Sequence, residues 1–179
     1  MDSGDGIDLD SGHLSLQSGR DRRYSSLIDI EQDMTAGTIE MEAGDPSHTT
    51  SARGNVTIES GVEVRSTANT EGGTAIDISA REHIVSDGQI IAEEGGIAIL
   101  SDSDQGGRGN VESTGHIDAV QDSVDITGRR VTVNTVHAGE DITLTSLEDV
   151  GFEGGSLVDA QGQISTDNGD IEIMVKSTP

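Results

Sequence analysis

The chain has 179 residues, room for one domain of ordinary size, and carries 34 Asp plus Glu against 10 Lys plus Arg, a formal net charge of −24. So acidic a surface repels nucleic acid and anionic lipid, so neither nucleic-acid binding nor membrane insertion is expected. With no cysteine or tryptophan and with one tyrosine and one phenylalanine, the composition excludes a disulfide framework, a thiolate metal site and an aromatic core.

Leu, Ile, Val and Phe together make 40 of the 179 residues, near the share of roughly 20% below which a highly charged chain stays disordered. Two features point to order. Ile and Val number 31 against 8 Leu, and they alternate with polar residues, as β-branched residues do on half-buried strands. In chain order the first such segments are "GIDLDSG" (6–12), "HLSLQSG" (13–19), "LIDIEQD" (27–33) and "TIEMEAG" (38–44). Their apolar doublets begin at 7, 14, 28 and 39, too close for full coils of a repeat. Residues 1–53 therefore read as an irregular N-terminal β segment, either hairpins or an incomplete cap.

From 54 to 179 the cadence is regular. "NVTIESG" (55–61), "AIDISAR" (75–81), "GIAILSD" (96–102), "SVDITGR" (123–129), "DITLTSL" (141–147) and "DIEIMVK" (170–176) follow one another. Counted from Val56, the doublets are spaced 20, 21, 27, 18 and 29 residues apart, at Ile76, Ile97, Val124, Ile142 and Ile171. A period near 20, lengthened by loop insertions at 101–109 and 147–155, is the signature of a β-solenoid, each repeat forming one coil. Within a coil, Ile84 and the "GQIIA" around Ile90 add a second and a third beat. The prediction is an all-β parallel β-helix with about 20 residues per coil, three short strands per coil and helix near zero. A narrow tube of this kind needs few inward aliphatics per turn, which suits the scarcity of core material.

Candidate chemistry is sparse. Asp2, Asp5, Asp8 and Asp10 cluster near the start, and Asp102, Asp104 and Asn110 lie in and beside an insertion, offering oxygen ligands that calcium could use. Neither stretch follows an EF-hand loop or a glycine-rich nonapeptide repeat, and solvated acidic loops explain both clusters equally. No other cofactor is expected. Glu93 and Glu94 are adjacent and would face opposite sides of a strand, which spoils them as a catalytic pair. No nucleophile elbow is present, and catalysis is not expected. His13, His48, His83, His116 and His137 are scattered. His83 and His116 each precede an inward Ile and should point outwards, and zinc would require two histidines to meet on adjacent coils. Arg129–Arg130 and "RDRR" at 20–23 read as local charge balancing.

The stretches "GNVTIESGVEVRSTA" (54–68), "GGTAIDISAREHIVSDGQIIAEEGG" (72–96) and "AGEDITLTS" (138–146) give the region 54–175 a definite resemblance. It resembles the repeat region of filamentous haemagglutinin-like exoproteins, surface adhesins exported by two-partner secretion. The resemblance implies a right-handed β-helix, an extracellular or cell-surface location, and a host or cell-surface ligand as partner. An N-P-N-G-I type motif of that family's N-terminal domain is absent from these residues. Met1 is followed by "DSGDGIDLD", which is no signal peptide, and with the ending "GDIEIMVKSTP" this leads us to expect an excised segment. The expected function is a rigid rod segment of a large adhesin-like repeat protein. A bactofilin-like filament subunit that pairs with itself end to end, a phage fibre segment and a glycan-acting β-helix enzyme remain as alternatives.

Overall fold

The computed structural model describes residues 6–9, 12–18, 26–44, 54–68, 73–101, 109–148 and 157–177. Among them are eighteen strands and no helix. In chain order these are β1 (Ile7–Asp8), β2 (His13–Ser18), β3 (Ser26–Ile30), β4 (Met34–Ala36), β5 (Thr38–Ala43) and β6 (Gly54–Ile58). Then come β7 (Glu63–Ser66), β8 (Thr74–Ala80), β9 (Ile84–Ser86), β10 (Gln89–Ala92), β11 (Gly96–Ser101) and β12 (Asn110–Ala119). The last six are β13 (Val124–Gly128), β14 (Arg130–Ala138), β15 (Ile142–Glu148), β16 (Leu157–Ala160), β17 (Ile164–Thr166) and β18 (Ile171–Ser177).

Every strand pairing among the described residues is parallel, and the partners are not neighbours in sequence. One sheet runs β18-β15-β13-β11-β8-β5-β2, and we call it the first wall. The other sheet holds two strand positions per repeat. The second wall contains β3, β6, β9, the first half of β12, the first half of β14, and β16. The third wall contains β1, β4, β7, β10, the second halves of β12 and β14, and β17. The chain thus visits first, second and third wall in turn through six repeats, with β1 before them and β18 after. An all-parallel arrangement of this kind is consistent with a β-solenoid.

Alternation along each strand sends every second side chain inward, and parallel register stacks it on its counterpart one repeat away. On the first wall Leu14, Ile39, Ile76, Ile97, Val124, Ile142 and Ile171 form one column. Leu16, Met41, Ile78, Ile99, Ile126, Leu144 and Ile173 form a second. The second wall adds Ile28, Val56, Ile84, Val111, Val131 and Val158, and the third adds Ile7, Met34, Val64, Ile90, Ile117, Val136 and Ile164. The members in the middle of each column are buried. Each is worth roughly 1.5–3 kcal/mol relative to an exposed position. Small residues end the third wall, with Ala36, Ser66, Ala92, Ala119 and Ala138 in register where the chain bends towards the next first-wall strand.

Two expectations are corrected here. Hairpins do not form in residues 1–53: β2 pairs with β5 and β5 with β8, β3 pairs with β6, and β1 pairs with β4, all in parallel. The doublets at 7, 14, 28 and 39 lie close together because they belong to different walls, not to successive repeats. The same cause misplaces Val56. Its register partners are Ile28 and Ile84 on the second wall, whereas Ile76 is preceded on the first wall by Ile39, 37 residues earlier.

The connections from the first wall to the second carry the insertions, at 19–25, 44–53, 102–109 and 149–156, alongside the short links at 81–83 and 129. Ser101, Leu147 and Glu148 still belong to strands, so the two insertions expected at 101–109 and 147–155 begin slightly later than the sequence suggests.

Candidate functional site

Of the calcium candidates, Asp2, Asp5, Asp10, Asp102 and Asp104 lie outside the described residues, as do His48 and the 20–23 basic stretch. Asp8 sits on β1 of the third wall, in register with Thr35. Asn110 opens β12 on the second wall, in register with Arg130. The fold therefore separates the two by four repeats and does not bring them together. Asn110 takes part instead in a backbone ladder: its N–H donates to Nδ1 of His83 at 3.3 Å, and the His83 N–H donates to Oδ1 of Asn55 at 3.1 Å. Among the described residues no group of three His, Asp or Glu is arranged to hold a metal ion.

Glu93 and Glu94 lie in the bend after β10 and not in a strand. Glu93 accepts from Nη1 of Arg65 at 2.9 Å, while Arg65 also grips both oxygens of Glu63 at 2.7 and 3.1 Å. The guanidinium thus ties repeat 2 to repeat 3, which gives Glu93 a structural use. His83 and His116 are half-buried on the outer side of their strands. His13 contacts Thr38 Oγ1 at 2.8 Å and Glu40 at 3.5 Å, again one repeat away.

On the outside of the first wall, Ser15, Glu40, Asp77, Ala98, Asp125, Thr143 and Glu172 form one column. Glu40 and Asp77 are directly opposed carboxylates. Surrounding protein withholds water from one side of the Asp77 carboxyl and raises its pKa above the ordinary 3.8, and the charge of Glu40 adds to the effect. Protons are therefore bound more tightly in the folded chain, and stability present below 3.8 is lost as pH rises through the raised value. The only feature of this face is a column of like charge, with no cleft between its members.

A shallow depression of about 320 Å³ opens at the β1 end, lined by Gly6, Ile7, Ile30, Met34 and the acids Asp29, Glu31 and Asp33. Asp33 is already engaged, its Oδ1 accepting the Glu63 N–H at 2.8 Å. The most distinctive surface lies at the opposite end. β18 repeats the inward aliphatic pattern of β15 with nothing stacked on it: Ile171, Ile173 and Val175 are 45%, 56% and 58% exposed. Their partners Ile142 and Leu144 are 0% exposed. The edge also presents a row of backbone groups without a neighbouring strand. The sequence contained this signal in "DIEIMVK", whose alternation equals that of buried strands.

Comparison of the chain with protein-family models, with curated proteins and with solved structures returns no match. Among the described residues no helix is long and apolar enough to cross a membrane. What the chain defines by its own geometry is a class: an all-β protein of stacked parallel strands with apolar columns inside and charge outside.

Proposed function

We propose that the chain is a rigid structural module, a rod segment of a right-handed, three-walled β-solenoid within a large secreted or cell-surface repeat protein of the adhesin type. The uncovered face of β18 carries this reading. Ile171 and Ile173 continue columns whose every inner member is shielded by the next repeat, so the face is shaped to receive another coil. The outer surface supports the same reading, since regular columns of charge keep a rod soluble and hold its sides apart from other rods. A host or cell-surface ligand would then be met by the long first-to-second-wall connections or by other parts of the parent protein.

A second reading, a filament subunit stacking end to end, has one observation in its favour. A second copy placed in register would set Leu14 and Leu16 of its β2 against Ile171 and Ile173, and Ile7 of its β1 against Ile164 of β17. That stacking satisfies the first and third walls and leaves the second wall one strand short, because β16 and β3 would be two steps apart. The rod segment needs no such gap.

Sedimentation velocity over a wide concentration range at physiological ionic strength tests the choice. The rod segment predicts one elongated monomeric species throughout. Association that grows with concentration and is abolished by Ile173→Lys would establish the filament subunit instead, and a compact spherical species would contradict both.

A further inference from the structure

The outer face of the third wall carries a line of alternating charge that runs along the stacking direction. In repeat 4, β12 presents His116 and Asp118; in repeat 5, β14 presents His137; in repeat 6, Asp167 follows β17. Asp118 and His137 are register partners. Nε2 of His116 lies 3.6 Å from Oδ2 of Asp118. Oδ1 of Asp118 lies 2.8 Å from Nδ1 of His137, and Nε2 of His137 lies 3.4 Å from Oδ1 of Asp167. β17 itself opposes His137 with the neutral Ser165. The ionisable groups facing His137 are therefore one carboxylate on each side and, beyond Asp118, a second imidazole.

The chemistry of the ring decides its state. A neutral imidazole has one N–H and one lone pair, so it can donate to only one of two flanking carboxylates. The imidazolium donates to both. The hydrogen bond to Asp118 is the largest influence on His137 and raises its pKa above the ordinary 6.5; partial burial opposes this, and the bond to Asp167 reinforces it. On deprotonation the shorter contact keeps the remaining proton on Nδ1, towards Asp118. The lone pair of Nε2 then faces the Asp167 carboxylate, and that contact turns repulsive.

We propose that His137 is a pH-sensitive latch that fastens repeats 4, 5 and 6 together, closed as the imidazolium and released on its Asp167 side when neutral. The segment it pins is the bend leading to the terminal strand. The Asp167 N–H donates to the Ala138 carbonyl at 3.0 Å and the Asn168 N–H to the Gly139 carbonyl at 3.1 Å, so these two amides report the latch directly. Because the folded pKa is raised, the stabilisation is complete below 6.5 and is lost as pH rises through the folded value. The latch concerns cohesion between repeats and goes beyond the proposed function, holding for a rod segment and a filament subunit alike.

Histidine side-chain NMR titration and amide hydrogen exchange on the full chain, at constant ionic strength, test this. His137 is expected to titrate above 6.5 with both ring nitrogens protonated at neutral pH. Protection of the Asp167 and Asn168 amides, corrected for intrinsic exchange, should fall as pH passes that value, by a factor of about ten for each unit of pKa elevation. His137→Gln, which keeps one donor and cannot titrate, should remove the pH dependence. Titration of His137 at or below 6.5 would overturn the latch without need of the variant. So would equal pH dependence of those amides in the wild type and in His137→Gln.

Discussion

Ile78→Asp is expected to abolish the fold, with the strand signal in far-UV circular dichroism lost at room temperature. Ile78 is completely buried and stands in its column between Met41 one repeat before and Ile99 one repeat after. An ionised carboxylate there would have only aliphatic neighbours, at a cost beyond the whole stability of a domain, about 5–15 kcal/mol. Protonation would be cheaper, yet an unbonded buried polar group still costs roughly 2–7 kcal/mol, and the lost isoleucine burial adds about 1.5–3 kcal/mol. The neighbouring Asp77 provides the control. It points outwards on the same strand, and Asp77→Asn should leave the dichroism unchanged while relieving repulsion from Glu40. An Ile78→Asp protein that stays soluble with an unaltered spectrum would remove the inward column.

Gly115→Ala should lower the melting temperature by roughly 5–10 °C, from about 1–3 kcal/mol of overpacking in a chain of this size. Gly115 sits at the bend between the second and third walls, where repeats approach through backbone alone. A Cβ built on it would collide with the carbonyl oxygen of Gly88, one repeat earlier, the same carbonyl that accepts from the His116 N–H at 3.2 Å. Neither side of that contact is a flexible side chain, so relief requires the strands themselves to shift. Gly61→Ala makes the contrast. Gly61 has φ of +83° and open space around its Cβ position, so alanine there meets only the left-handed backbone cost of about 1–2 kcal/mol. Equal and small shifts for the two variants would show that the bends are not close-packed.

The reach of the sequence can be judged from particular residues. In the stretch 75–102, the reading that Ile76 and Ile78 open one wall, Ile84 marks another, Ile90 a third, and Ile97 returns to the first agrees with the register, in which Ile97 pairs with Ile76 and Ile90 with Ile117. Val56 was illegible for a specific reason. Its segment Val56-x-Ile58-x-Ser60 has the same form as the first-wall segments Ile76-x-Ile78-x-Ala80 and Ile97-x-Ile99-x-Ser101. Alternation reports that a strand has an inner face, and says nothing about which wall it joins.

The meeting of His116 and His137 around Asp118 was hidden by a related effect. Register partners are 27 residues apart on the first wall (Ile97 with Val124), 20 on the second (Val111 with Val131) and 19 on the third (Ile117 with Val136). The 102–109 insertion lies after β11 and before β12, so it lengthens the first-wall spacing alone. The step from 20 to 19 comes from the bend itself, where Asn134 in repeat 5 does the work of Thr114 and Gly115 in repeat 4. Asn134 closes the shortened bend by donating from Nδ2 to the Thr114 carbonyl at 2.9 Å. A single period read along the chain cannot follow three walls whose spacings differ.

Stacking in register is the central claim, and distances between spin labels measure it most directly. The chain has no cysteine, so pairs of cysteines can be placed on the outward column of the first wall: Ser15 with Glu172, Glu40 with Glu172, and Asp77 with Glu172. These pairs are six, five and four strand steps apart. At about 4.8 Å per step the backbone separations should be about 29, 24 and 19 Å. The two decrements should be equal, although moving from Ser15 to Glu40 skips 25 residues and from Glu40 to Asp77 skips 37. Narrow distributions with equal decrements are the predicted result; broad distributions, or decrements that follow the number of residues skipped, would contradict it.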